Sequence, residues 1–182
     1  MRKVIFIVSV LIGMLLIGCG QSREKMLNEI TEKEKPFFSN VPVTDTVKIN
    51  EMVSLYTRFA DKFSDDSLSP VFLYRAAGLQ MNSGKNEAAL ASLDKIIKDH
   101  SDFAKLPEAY FLKAFIYDNN IKNLKKAREA YLEFIQKFPE NELADDAQIS
   151  INNLGKTPEQ IINEIQMKQK QHEDSLAAAS KK

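Results

Sequence analysis

The stretch that decides the fold is PEAYFLKAFIYDNNIKNLKKAREAYLEFIQKFP, residues 107–139, because it predicts two antiparallel helices. Pro107 suits the first turn of a helix, where a missing N–H costs nothing, and Pro139 ends the second helix. Apolar and small residues recur at helical spacing on both sides of a polar interruption at residues 119–120, and Asn123 can cap the second helix. Two such helices cannot bury both of their apolar faces on their own.

The aromatic and small residues of this stretch resemble the tetratricopeptide repeat (TPR), whose signature is W-x2-L-G-x2-Y, then A-x3-F, then P. Lys113 replaces the usual leucine, and one extra residue lies between the two helices. The matching pattern in the chain is Tyr110-x2-Lys113-Ala114-x2-Tyr117, then Ala127-x3-Tyr131, then Pro139.

A similar unit precedes this one, with Phe72 lying 38 residues before Tyr110. Its first helix is predicted to have Ser69 as N-cap, and its pattern Phe72-x2-Arg75-Ala76-x2-Leu79 matches the signature well. By the family spacing, Ala88 takes the small-residue position of its second helix, whereas Ser92 and His100 replace the aromatic residue and the proline. The second helix therefore matches poorly.

Further helices are predicted on both sides of these two units. An apolar stripe from Met52 to Phe63 precedes them, and a third unit begins at Leu143. The segment Thr157-Pro158-Glu159-Gln160 is a capping box for a last helix. The predicted fold class is all-α, a TPR-like antiparallel helix-hairpin solenoid of two to three repeats plus flanking helices; a compact helical bundle is the alternative.

The amino terminus has the pattern of a secretory signal. Two basic residues precede an apolar run at residues 4–17 that is too short for a comfortable membrane span. The end of this run, Leu16-Ile17-Gly18-Cys19, resembles a bacterial lipobox, in which cleavage precedes the cysteine and its thiol is acylated. An ordinary signal peptide or signal anchor is the alternative. Gly20 follows the cysteine in place of aspartate, which by analogy with lipoprotein sorting favours the outer membrane.

The predicted domains are a signal peptide at 1–18, a lipid anchor and tether at 19–45, a TPR-like helical domain at 46–167 and a polar tail at 168–182. We favour a solvated tether for the charged residues 21–35 over a short surface helix. In an extended segment after it, Phe37 and Phe38 are expected to fix the tether to the helical body, or else to form an exposed docking site.

Composition excludes several function classes. Lys plus Arg equals Asp plus Glu at 25 each, so no charge bias favours nucleic acid. One cysteine and two histidines are too few for a disulfide or a His/Cys metal site, and no glycine-rich phosphate loop is present. The acidic pairs at 65–66 and 145–146 suit a loop and a helix amino terminus better than catalysis. We expect no cofactor and no enzymatic activity.

Two groups of residues are candidates for binding. In TPR proteins the first helix of each pair lines a groove that binds peptides, and Arg75, Lys113 and Asp146 occupy equivalent positions in the three units. A basic cluster near the start of the fifth helix is either a solvated rim or a docking patch for an acidic partner. The candidate groove residues are Tyr74, Arg75, Gly78, Lys113 and Asp118, and the cluster comprises Lys122, Lys125, Lys126 and Arg128.

The segment from Ala127 to Ala147 is similar to TPR lipoproteins of bacterial envelopes. Two relatives share the resemblance: the TPR lipoprotein of the outer-membrane β-barrel assembly machine and the TPR coordinator of the Tol–Pal system. The resemblance implies a lipid-anchored adaptor that faces the periplasm and binds envelope proteins. A structural spacer and a ligand-binding envelope lipoprotein are the alternatives.

Overall fold

A computed structural model describes residues 22–38 and 43–179, and all regular structure within them is helical. The predicted all-α class is therefore confirmed. A short 3₁₀ turn at Lys35–Phe38 and a π-helical turn at Ile116–Asn120 accompany the α-helices. The α-helices are α1 (22–34), α2 (Thr46–Lys62), α3 (Ser69–Asn82), α4 (Asn86–Asp99), α5 (Leu106–Phe115), α6 (Leu124–Lys137), α7 (Ala144–Asn153) and α8 (Pro158–Ala179).

The chain divides into two compact units, and the division falls inside α5, between Ala109 and Tyr110. The N-terminal unit contains α1 to α4. The C-terminal unit contains the rest of α5, the π turn and α6 to α8. The predicted lipidation of Cys19 and the predicted signal peptide at 1–18 lie outside the described residues.

Local side-chain caps set several helix starts, as the sequence predicts. The Asn123 side chain accepts a hydrogen bond of 3.1 Å from the backbone N–H of Lys126 and caps α6. At the start of α8, the Thr157 N–H donates to the Gln160 side chain at 2.8 Å, and the Gln160 N–H donates to the Thr157 hydroxyl at 3.3 Å. These bonds satisfy N–H groups that have no partner within the helix.

The predicted N-cap of α3 is wrong by one residue. Leu68 occupies the N-cap and Ser69 is the first helical residue. Ser69 is fully buried, and its hydroxyl donates to the carbonyl of Phe63 at 2.6 Å. The Asp66 side chain accepts from the Leu68 N–H at 3.0 Å. The serine therefore ties α3 to the end of α2 instead of capping its own helix.

The second helix of the first repeat is displaced by one residue from the predicted alignment. Ala89, not Ala88, is fully buried at the small-residue position, and Leu93 takes the place predicted for Ser92. Ser92 instead shares a hydrogen bond of 2.9 Å with the Gln80 side chain. The turn between α3 and α4 therefore has one residue more than the family spacing, and the 38-residue period holds through both helices.

In the second repeat, the extra residue is absorbed within the helix itself. After Phe115 the α-helix widens into the π turn Ile116–Asn120, so the interruption predicted at residues 119–120 is a continuation of the helical chain. A π turn accommodates one inserted residue without breaking the helix. Two residues after the turn, Lys122 is a non-glycine residue with a φ of 60°.

Residues 22–34 form helix α1, so the prediction of a solvated tether for this segment is wrong. Ile30 is 1% exposed, and Met26 and Leu27 pack beside it against residues of α2 and α3. The adjoining Phe37 is also partly buried, but it lies in the 3₁₀ turn and not in an extended segment, and Phe38 is 70% exposed. The packed body therefore begins at residue 22 instead of residue 46.

Ion pairs fix both ends of α1, which explains why so polar a segment packs. Near its start, the Arg23 guanidinium binds both carboxylate oxygens of Asp66, and this contact holds the pKa of Asp66 below its ordinary value. At its end, the buried Glu34 carboxylate accepts from the Tyr56 hydroxyl and from Arg75. Burial and then this carboxylate raise the pKa of Tyr56. A buried carboxylate needs such donors to offset its lost hydration.

The predicted polar tail is helical over most of its length. Helix α8 continues without a break from Pro158 through Ala179, so residues 168–179 are helical. The remaining residues of the tail are not described.

We predict that Ile30→Ala lowers the free energy of unfolding by about 2–5 kcal/mol, the usual cost of truncating a buried isoleucine. Urea unfolding followed by circular dichroism measures the change. The matched control is Lys25→Ala on the exposed side of the same helix, with an expected change within about 0.5 kcal/mol. Equal, small effects of the two substitutions would show that residues 22–34 do not pack.

Candidate functional site

A groove of about 720 Å³ lies within the C-terminal unit. Its walls come from α5, the π turn, α6, α7 and the beginning of α8. Aromatic and aliphatic side chains share its lining with polar ones, a composition that suits a peptide. The groove itself is open to solvent. The apolar lining residues are Phe111, Phe115, Leu124, Tyr131, Ile149 and Ile161, and the polar ones are Asp118, Asn119, Lys122, Asp146, Ser150, Asn153 and Lys156.

The floor of the groove is rigid because it belongs to the aromatic core of this unit. The Phe111 ring lies edge-on to the rings of Tyr131 and Phe134, with both centroid distances at 5.6 Å. Tyr131 is 1% exposed, and burial raises the pKa of its hydroxyl. Above this floor, Phe115 and Ile149 are exposed apolar side chains that a partner could cover.

Two carboxylates border the groove. Asp118 is half-buried in the π turn, and desolvation raises its pKa above the ordinary aspartate value, while the nearby Lys122 acts in the opposite direction. Asp146 is exposed in the first turn of α7. Lys156 forms an ion pair of 2.6 Å with Glu164, which reduces its availability to an acidic ligand. Asp146 is therefore the exposed carboxylate of the groove that a basic side chain of a partner could contact.

Gly155 fixes one wall of the groove. Its φ of +78° allows the chain to leave α7, as the sequence predicts for a glycine just after a helix end. A Cβ at this position would lie 2.9 Å from the Leu124 Cδ1 atom. The positive φ is what favours glycine here, because the Leu124 methyl is the end of a flexible, partly exposed side chain that can shift.

Three of the predicted groove residues lie in the N-terminal unit and contact its own side chains. Tyr74 packs against Phe103 with a centroid distance of 6.2 Å, and Lys105 lies over its ring. Arg75 binds Glu34, as described above. Gly78 borders a separate cavity of about 260 Å³ beside Phe38.

The other two predicted residues lie in the C-terminal unit. Asp118 lines the groove, as described above. Lys113 is half-buried on α5 and is not among the lining residues.

The predicted basic cluster is spread over several surfaces. Lys122 borders the groove, whereas the Lys126 ammonium lies 5.3 Å from the centre of the Tyr117 ring. Lys125 and Arg128 border a different cleft of about 350 Å³, which they share with Glu129. These cations therefore do not converge on one ligand.

Most of the groove was missed by the sequence analysis. Asp146 was recognised as equivalent to Lys113, but its place in a common groove with Asp118 depends on how α7 packs against α6. In the sequence, Phe115 and Ile149 are recognisable only as apolar residues of predicted helices. The sequence offers no packing partner for either of them.

The described part of the chain contains neither a group of three metal-binding side chains nor a helix long and apolar enough to cross a membrane. The acidic pair 145–146 lies in the first turn of α7, where negative charge stabilises the helix.

Comparison with known proteins agrees with the two central hairpins. A family model of the tetratricopeptide repeat matches residues 72–102 and 108–141, which correspond to α3–α4 and to α5–α6. None of the curated proteins matches the chain. The TPR-like fold class is thus confirmed. The chain therefore contains two TPR repeats at these residues, and repeats of this kind in general bind protein partners.

Proposed function

We propose that this protein is a lipid-anchored adaptor that holds a protein partner at the bacterial cell envelope. The observation that carries the proposal is the groove of the C-terminal unit, where exposed Phe115 and Ile149 lie beside the carboxylates of Asp118 and Asp146. Such a surface suits an extended or helical peptide with apolar side chains and a basic residue, because each kind of side chain finds a complementary contact.

The anchor in this proposal is the acylated Cys19. Only two residues of sequence separate it from the first described residue of α1, Ser22. At a maximum of about 3.6 Å per residue, this link keeps the helical body close to the membrane surface. A partner bound in the groove would be tethered to the membrane through the chain, as an adaptor requires.

The compartment in this proposal is the periplasmic side of the outer membrane. The lipobox-like segment and Gly20 support it, as does the similarity to envelope TPR lipoproteins. That similarity favours a role in outer-membrane protein assembly. The adaptor performs no reaction and needs no cofactor.

The groove is tested by reversing the charge of Asp146. We expect Asp146→Lys to weaken partner capture about tenfold, because a basic side chain would repel the basic partner. In-cell crosslinking of the full-length chain, detergent extraction and mass spectrometry measure the captured proteins.

The matched control is Asp145→Lys. Asp145 is also exposed and lies in the same first turn of α7, but it does not line the groove. Its replacement should therefore destabilise the helix by the same amount as the replacement of Asp146. Equal capture by the two variants would exclude the groove as the binding surface. Failure to recover any protein above background would favour the spacer or the ligand-binding lipoprotein.

The anchor is tested by Cys19→Ala. We expect this variant to lose metabolic labelling by a radioactive fatty acid, because it lacks the thiol that would be acylated. It should also move from the membrane fraction to the soluble one, because buried acyl chains are the proposed anchor. Unchanged labelling and membrane association would contradict the proposed lipidation.

A further inference from the structure

The first turns of helix α8 contact α7 and Lys156, but the part of the helix that follows is unpacked within the described residues. From Gln166 to Leu176 every side chain is exposed, although the helix continues to Ala179. A helical segment of this length is only marginally stable in water without packing. An i to i+4 attraction between Glu164 and Lys168 supports it, but such a pair contributes little. A packing partner for α8 is therefore missing from the single chain.

We propose that α8 pairs with α8 of a second copy as a parallel, in-register coiled coil. Five residues follow one another at alternating spacings of 3 and 4, which places them on one face of the helix. Three of them are aliphatic and more than half exposed, at 53%, 51% and 58% in chain order. The seam consists of Ile162, Ile165, Gln169, His172 and Leu176.

The charges on either side of this seam favour pairing with a second copy of the chain in a parallel orientation. With Ile162 at position a of the heptad, Lys168 falls at g and Glu173 at the following e. In a parallel pair, each g residue faces the e residue five positions later on the other helix. Lys168 of each copy would thus meet Glu173 of the other. An antiparallel arrangement would place g residues opposite g residues, and this pairing of Lys168 with Glu173 would be lost.

The polar residues in the seam determine what kind of dimer is expected. A polar side chain at a seam position lowers the stability of a coiled coil but fixes its register and the number of strands. Gln169 and His172 occupy two of the five positions, so we expect a weak, specific pair. None of the five seam residues lines the groove, whose lining in α8 ends at Ile161, although Ile165 borders a neighbouring cleft beside α7.

Cysteine crosslinking of the full-length chain in membranes tests the proposal. Leu176 lies at position a, whereas Met167 lies at position f on the opposite side, and both are 58% exposed. Under mild oxidation, Leu176→Cys should give several-fold more disulfide-linked dimer than Met167→Cys. The unaltered chain, which contains Cys19 alone, supplies the background. Equal yields from the two variants, or none from Leu176→Cys, would overturn the proposal.

A charge exchange tests orientation and register. In the Leu176→Cys background, Lys168→Glu should reduce the dimer yield, because two glutamates then face each other. Adding Glu173→Lys should restore the yield by reversing both partners of the pair. Failure of this second substitution to restore crosslinking would overturn the parallel arrangement, since both single sites are exposed and do not affect folding of the body.

Discussion

Full burial of small residues at equivalent positions is the constraint that both repeats share. Ala76 and Ala114 in the first helices, and Ala89 and Ala127 in the second, have no exposed surface. Larger side chains at these positions would force the helices apart, because protein interiors leave no room for added volume. The alanines recur after 38 residues in both helices, and the larger core residues keep the same offset. Leu93 and Tyr131 are equivalent residues of the two repeats but differ in size, whereas the four small positions all keep alanine. The size of the side chain is therefore constrained more strictly at the small positions than at the large ones.

The elements that the sequence predicted well depend on local signals. Asn123 as a cap, the Thr157–Gln160 capping box and Gly155 after α7 each follow from interactions within a few residues. Helix α1 was missed because its stabilising partners are distant in sequence: Asp66 lies 43 residues after Arg23, and Arg75 lies 41 residues after Glu34. A charged segment without its partners is indistinguishable from a solvated tether.

The same reasoning explains why the groove was only partly predictable. The family resemblance identified the helices that line it but not the side chains, since the π turn rotates the residues that follow Phe115 relative to a regular helix. Among the residues it suggested, the half-buried Asp118 lines the groove. The resemblance could not show that Arg75 would serve to hold α1 in the N-terminal unit, nor that Gly155 would bring the chain close to Leu124. Residues at equivalent repeat positions therefore have different roles in the two units.

The central claim is that protein partners bind in the groove and not on the exposed aromatic surface of the N-terminal unit. The most direct measurement incorporates the photoreactive benzoylphenylalanine in cells, once at Phe115 and once at Phe38, both exposed phenylalanines of the full-length chain. Light-induced crosslinks to another protein from position 115, and none from position 38, are the predicted result. Crosslinks from position 38 alone would contradict the account and assign binding to the 3₁₀ turn.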